Sequence, residues 1–376
     1  MAPPADEAGS RNVPESAACR RSPGERLALA AFYAGMAWAM TFYITQLPVH
    51  GTIRIEPLLA GVAPRPFQYR VLGPWTIAAF HDLTGIGYAA TELLWHFATT
   101  LAAFVAVRAW LRPFVPAAVA DLAPVWVTAT VVNNLVLRYP WDVPGIFFAA
   151  VLFELIRRRS WRYFFPILAV ATLNRENTYL AVAAGFLAEG LLRRSWLRAC
   201  GLGLAAAAVW LAVKVALGYL FAANPGGALE WHLAKNLDVL RGVVAFADVM
   251  HTPLLAPMAH TIPWCWLQFL AALNFVWALV PVRWRAKDPF LKTLALLIPL
   301  HLGLMVLFGN LVERRIYLDV LPVVLPLALQ TFFPAAPASP LGEIDVAQPP
   351  PAVRVPGGAQ QADTAEGGCA TQARKP

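Results

Sequence analysis

The amino-acid sequence predicts an all-α protein, a polytopic membrane helix bundle of about ten transmembrane segments. Three observations carry this expectation. Of the 376 residues, 59% are hydrophobic and only 14% are charged, whereas a soluble domain carries about 25% charged residues. The mean hydropathy is +0.55. Apolar runs near the ~20 residues needed to cross a bilayer recur along the chain, separated by short polar links. The net charge of +8 then reads as membrane topology, and no nucleic-acid partner is expected. A soluble nucleotide enzyme is excluded, because no phosphate-binding glycine loop or nucleophile elbow occurs in a suitable context. The four cysteines show no metal-ligand spacing and no disulfide framework.

Residues 1–26 are polar and rich in Pro and Ala, and residues 334–376 have the same character. Both read as disordered cytoplasmic tails. Between them, residues 27–333 read as one transmembrane domain. The predicted spans are Leu27–Leu47, Gly87–Leu111, Ala117–Leu137 and the short Val143–Ile156. Two arms within residues 163–192 follow, then Cys200–Ala222, Cys265–Val282, Leu291–Gly309 and Ile316–Phe333.

Lys and Arg accumulate in cytoplasmic loops. With the N-terminus inside, the cytoplasmic segments collect about two thirds of the 30 basic residues, including "RRRSWR" at 157–162 and "RRSWLR" at 193–198. Both termini are therefore expected in the cytoplasm. The block at 163–192 has Arg-rich flanks on both sides and must go up and come back. Each arm has about 14 residues, roughly 21 Å of helix, short of a ~30 Å hydrocarbon core. The expected structure is a short helical hairpin with Asn174–Asn177 at its apex, facing a water-filled cavity.

The outward segments hold the polar groups that could do chemistry. The first outer loop carries Glu56, Tyr69, Arg70 and Asp82; the next, "RYPWDVPG", carries Arg138, Tyr139, Trp141 and Asp142. The hairpin apex adds Asn174, Arg175 and Glu176, and "ERRIYLD" adds Arg314, Arg315 and Tyr317. Each has a plainer reading. "RPFQYR" also fits an interfacial amphipathic helix, Asp142 a helix cap, Arg175–Glu176 a structural ion pair and "ERR" a headgroup contact. Glu154 and Glu189 read as solvated helix-end residues, and His96 and His301 as packing histidines. Lys214 reads as partner to a carboxylate such as Glu92 or Glu154.

The order "RPFQYRVLGPW", "YPWDVPG", an Arg-rich turn, "LNREN" and "ERRIYLDVLPVVLP" resembles a group of bacterial integral membrane proteins. These in turn resemble the C-type glycosyltransferases, multi-helix enzymes of the bacterial inner membrane and cell envelope that take sugars from polyprenyl-phosphate carriers outside the cytoplasm. The resemblance implies Glu56 or Asp82 as a first catalytic acid and Asp142 as a second. It implies Arg70, Arg175 and Arg314 or Arg315 at the lipid phosphate, with Tyr69, Arg138, Trp141, Asn174, Glu176 and Tyr317 around the substrate. An optional divalent cation, Mg2+ or Mn2+, would be held by Asp142 and Glu176. The first outer loop lacks the adjacent acidic pair of that superfamily, and no large soluble C-terminal domain follows. Two other classes stay open: a transporter or flippase of a lipid-linked or anionic substrate, and a non-catalytic membrane assembly protein. The glycosyltransferase reading requires Glu56 or Asp82, Arg70, Asp142, Arg175, Glu176 and Arg314 to converge on one outward-facing cavity.

Overall fold

The computed structural model describes residues 21–49, 54–135, 137–227, 229–240, 271–311 and 313–334. Most of both predicted tails, and the start of the predicted Cys265–Val282 span, lie outside the described residues. Within them the chain is an all-α bundle: helices and short 3-10 turns, with no strand among the described residues.

The first helix, α1, spans Pro23–Gln46 and so starts inside the segment assigned to the N-terminal tail. The cause is a capping box. Ser22 Oγ accepts from the Glu25 N–H at 3.2 Å, and the Ser22 N–H donates back to the Glu25 carboxylate at 2.7 Å, with Pro23 in the first helical turn. After α2 (Ile55–Leu59) comes α3 (Leu72–Thr84), a helix within the segment assigned to the first outer loop; it ends at Gly85, whose φ is 71°. Next is α4 (Tyr88–Leu111). The predicted Ala117–Leu137 span is in fact two helices, α5 (Ala117–Asp121) and α6 (Ala123–Asn134). Pro124 has no N–H to give to the preceding turn, so the helix must restart there.

The helices α7 (Asp142–Arg157), α8 (Trp161–Asn174) and α9 (Tyr179–Leu187) follow, and a π-turn over Ala188–Leu192 extends α9. Arg175 separates α8 from α9 with extended backbone, φ −163° and ψ 142°. The chain then reverses. Trp161, which opens α8, lies against Gly185 near the end of α9, its ring 3.6 Å from where a Cβ would stand. Residues 163–192 therefore form a helical hairpin with Arg175 and Glu176 at its apex. The remaining helices are α10 (Trp196–Leu220), α11 (Leu233–Leu240), α12 (Pro289–Leu294), α13 (Leu297–Phe308) and α14 (Leu321–Phe332).

Five stretches among the described residues are long and apolar enough to cross a membrane: Pro23–Gln46, Tyr88–Leu111, Trp196–Leu220, Pro289–Phe308 and Arg314–Phe332. The others expected to span are shorter, as the restart before Pro124 and the break at Arg175 require. The last stretch is the centre of the bundle, with almost every residue of α14 buried. Trp110 of α4 fixes it by donating its indole N–H to the Pro322 carbonyl at 2.6 Å. The 3-10 stretch before α14, Arg314–Val320, is thereby drawn inward with Arg315, Tyr317 and Asp319 buried.

Two polar clasps hold the outer segments to this bundle. Asn236 of α11 donates to the carbonyls of Met305, Val306 and Gly309 at 2.6–3.1 Å and accepts from the Leu311 N–H. Asn224 donates to the carbonyls of Gly61 and Ala63, and the Arg65 N–H donates to the Pro225 carbonyl at 2.8 Å. Beside this second clasp, Gly226 has φ +89° and a Cβ there would stand 2.6 Å from the Arg65 carbonyl oxygen. Gly226→Ala meets both a forbidden backbone conformation and a backbone atom that cannot rotate away. The expected result is a loss of about 1–3 kcal/mol, read as a lowered thermal midpoint in detergent. An unchanged midpoint would show that the clasp is not formed.

Candidate functional site

The hairpin apex is where the buried charges meet. Asp142, the first residue of α7, has a fully buried side chain and faces Nη1 of both Arg175 and Arg315 at 3.4 Å. Arg175 Nη1 also lies 3.1 Å from Asp319, which pairs further with the Asn177 amide. Arg315 donates to Glu313 at 2.7 Å and lies 3.9 Å from the centre of the Tyr139 ring. Arg70 reaches Glu176 at 2.6 Å while its guanidinium lies over Trp141, 5.0 Å from the ring centre. The network thus joins the first outer loop, the start of α7, the apex and the entry to α14.

Neutral groups hold the frame. Asn174 donates to the Trp141 carbonyl at 3.0 Å, and the Trp210 indole of α10 donates to the Glu176 carbonyl at 3.0 Å. Tyr179 bonds His301 Nδ1 at 2.9 Å, and the other ring nitrogen of His301 bonds the Ile316 carbonyl at 2.9 Å. At Glu313, outside the spanning stretches, burial works to raise the carboxyl. Arg315 and Asn310 outweigh it and hold Glu313 below the ordinary glutamate value.

Three arginines face four carboxylates in this network, yet its hydrogen-bonding capacity is not used up. Arg70 Nη1, Arg175 Nε and Trp141 Nε1 are shielded donors with no acceptor, and Asp142 Oδ2 and Asn174 Oδ1 are shielded acceptors with no donor. Buried polar groups are normally paired, so this many unpaired atoms on adjacent residues mark a place built for something else. A cavity of about 30 Å³, room for a water or two, is lined there by Asn174, Arg175, Asn177 and Asp319.

A second, larger chamber of about 410 Å³ opens on the far side of the Tyr139–Trp141 strip. Arg54, Glu56, Glu92, Arg138 and Pro140 line it. Arg138 lies 3.3 Å from Glu92, which also faces His96 at 3.6 Å.

The structure thus brings together Arg70, Trp141, Asp142, Asn174, Arg175, Glu176 and Arg315, and does not bring the other expected residues to the same point. Glu56 and Arg138 belong to the chamber. Asp82 is exposed on α3 and takes no part in either. Arg314 points away and donates to the Asn133 carbonyl at 3.3 Å, because the 3-10 turn places the next residue, Arg315, inward. Tyr69 is buried beneath Lys214, whose ammonium lies 4.6 Å from its ring centre; Lys214 therefore meets an aromatic face and not Glu92 or Glu154. Tyr317 donates to the Leu311 carbonyl. No group of three His, Cys, Asp or Glu side chains among the described residues is arranged to hold a metal ion. The acids proposed for one, Asp142 and Glu176, are engaged by arginine.

Asp319, Asn177, Glu313 and His301 were missed as site residues. Asp319 lies in "YLDVLP", four residues after Arg315, a spacing that places both on one side of a helical turn; that signal was available. His301 carries none, since a histidine in an apolar helix reads as packing. Glu189 is a further correction: it is fully buried, because the π-turn after α9 carries it inward among three arginines.

No protein-family model matches the chain, no curated protein matches it, and no solved structure matches it.

Proposed function

We propose that the protein is a membrane-embedded glycosyltransferase that takes a sugar from a polyprenyl-phosphate donor at the end of the bundle bearing Asp142 and Arg175. That end would be extracytoplasmic, with both termini inside. The observation that supports this reading is the set of unpaired polar atoms on Arg70, Trp141, Asp142, Asn174 and Arg175. A sugar phosphate supplies phosphate oxygens for the N–H donors and hydroxyls for the free acceptors. Glu56, in the adjoining chamber, would take the proton of the acceptor hydroxyl as its oxygen bonds to the sugar's anomeric carbon. The phosphate would leave with the electron pair of the broken bond, its charge met by arginine.

A transporter of such a lipid is the second reading, favoured by the extended break at Arg175 between two short helices. The test is purified protein in vesicles with a panel of polyprenyl-phosphate sugars and water-soluble acceptors. The expected result is a glycosylated acceptor and free polyprenyl phosphate. Movement of intact donor across the bilayer, with no cleavage, would replace the transferase by the transporter. Neither event with any donor would leave the assembly-protein reading.

A further inference from the structure

A repeated device stands at the opposite end of the α8–α9 hairpin. The pattern Glu, three residues, Arg-Arg-Ser-Trp occurs as Glu154–Trp161 and again as Glu189–Trp196. The backbone repeats with it. The second arginine of each pair takes a left-handed conformation, with φ 58° at Arg159 and 55° at Arg194. The serine then precedes a helix that the tryptophan opens, α8 in one case and α10 in the other. In each copy the glutamate pairs with the arginine four residues on, Glu154 with Arg158 and Glu189 with Arg193.

The two turns meet at one point. Glu189 lies 3.4 Å from Arg159 of the first turn and 3.6 Å from Arg198 of the second. Arg193 also approaches the Arg157 carbonyl at 3.4 Å. Together the segments 154–162 and 189–198 carry seven arginines and two glutamates, so most of the positive charge has no carboxylate to meet it.

Two features point to an anionic ligand. The left-handed position after a helix is where glycine is favoured, and this chain has an arginine there twice. The guanidiniums are also presented outward: the side chains of Arg158, Arg159 and Arg198 are 61%, 44% and 47% exposed. The Trp161 indole N–H is shielded and has no acceptor. Trp196 and Tyr163, each about half exposed, stand beside the arginines as aromatic residues do at headgroup depth.

We propose that the twin turns form a binding site for the headgroup phosphates of anionic phospholipid. Glu189 holds Arg159, Arg193 and Arg198 in one place, and the outward guanidiniums grip phosphate oxygens through their planar forks. The site is independent of the glycosyltransferase reading, since it lies at the other end of the hairpin.

The test uses the full chain in nanodiscs of phosphatidylcholine alone or with phosphatidylglycerol, reading thermal stability and the lipid retained on native mass spectrometry. Phosphatidylglycerol is expected to raise the unfolding midpoint and to be retained over phosphatidylcholine by about tenfold or more. The double variant Arg159→Gly, Arg194→Gly keeps Arg193 and Arg198 on Glu189 and relieves both left-handed positions. It should fold in phosphatidylcholine and lose that preference. Arg162→Gln with Arg198→Gln, which leaves both turn backbones unchanged, should lower it in the same direction. Equal retention of both lipids, or a preference kept in both variants, would overturn the proposal. So would an equal rise in midpoint from inorganic phosphate in phosphatidylcholine discs, which would make the site one for a free anion.

Discussion

Arg175→Met is expected to destabilise the protein by about 3–5 kcal/mol, the range for removing one partner of a buried ion pair. Arg175 Nη1 lies between Asp142 and Asp319, and both carboxylates are buried. Without the guanidinium, Asp142 keeps Arg315, whereas Asp319 keeps only the Asn177 amide and a distant His301 at 3.9 Å. Asp319 is therefore the group left most exposed to the desolvation penalty, and the second substitution should act there. Arg175→Met with Asp319→Asn should be less destabilised than Arg175→Met alone, the sign of direct coupling between neighbours. Thermal or denaturant unfolding of the three variants in one detergent measures this. A single variant within 1 kcal/mol of wild type, or a double variant that is merely additive, would mean that the charges are solvated and the buried network is not formed.

The second large effect is on chemistry. Glu56→Gln should lower glycosyl transfer by about 10²–10⁴-fold, the usual contribution of a positioned general base. Glu56 lines the chamber of about 410 Å³ and is exposed, so its loss should leave the unfolding midpoint near wild type. This separates it from Asp142 and Arg175, whose replacement disturbs the fold and the reaction together. Glu92 shares the chamber but is engaged by Arg138 at 3.3 Å, which makes it the poorer proton acceptor. Full activity in Glu56→Gln, with Glu92→Gln inactive, would reverse the assignment.

The helical class and the hairpin were legible because each follows from a simple constraint. Apolar runs must be helical in lipid, and a block with Arg-rich flanks on both sides must return to its starting face. The break at "NREN" was legible because four polar residues interrupt an otherwise apolar run. Individual spans were less so. The restart at Ala123 depends on one proline, and α3 looked like loop because its sequence, "LGPWTIAAFHDLT", carries Gly and Pro at its start. At the site, the pairing of Arg70 with Glu176 spans more than half of the described core, and no local spacing encodes it. The choice between Arg314 and Arg315 turned on the 3-10 geometry of one turn, which no periodicity distinguishes. The Ser-Pro-Gly-Glu capping box and the twin Arg-Arg-Ser-Trp turns were plain in the sequence, and only the backbone gave them meaning.

The central position of α14 bears on the order in which the protein is made. α14 is the last of the described helices to leave the ribosome, yet nearly all of its residues are buried by the helices that precede it. Asp142, Arg175, Arg70 and Glu176 are therefore synthesised well before Asp319 and Arg315. Each instalment of charge is balanced: two acids with two arginines first, then Glu313 and Asp319 with Arg314 and Arg315. An early Asp142–Arg175 pair can form within the nascent hairpin and be shared with the later arrivals. No stage of synthesis has to hold a net charge in the membrane while it waits for its counter-ion.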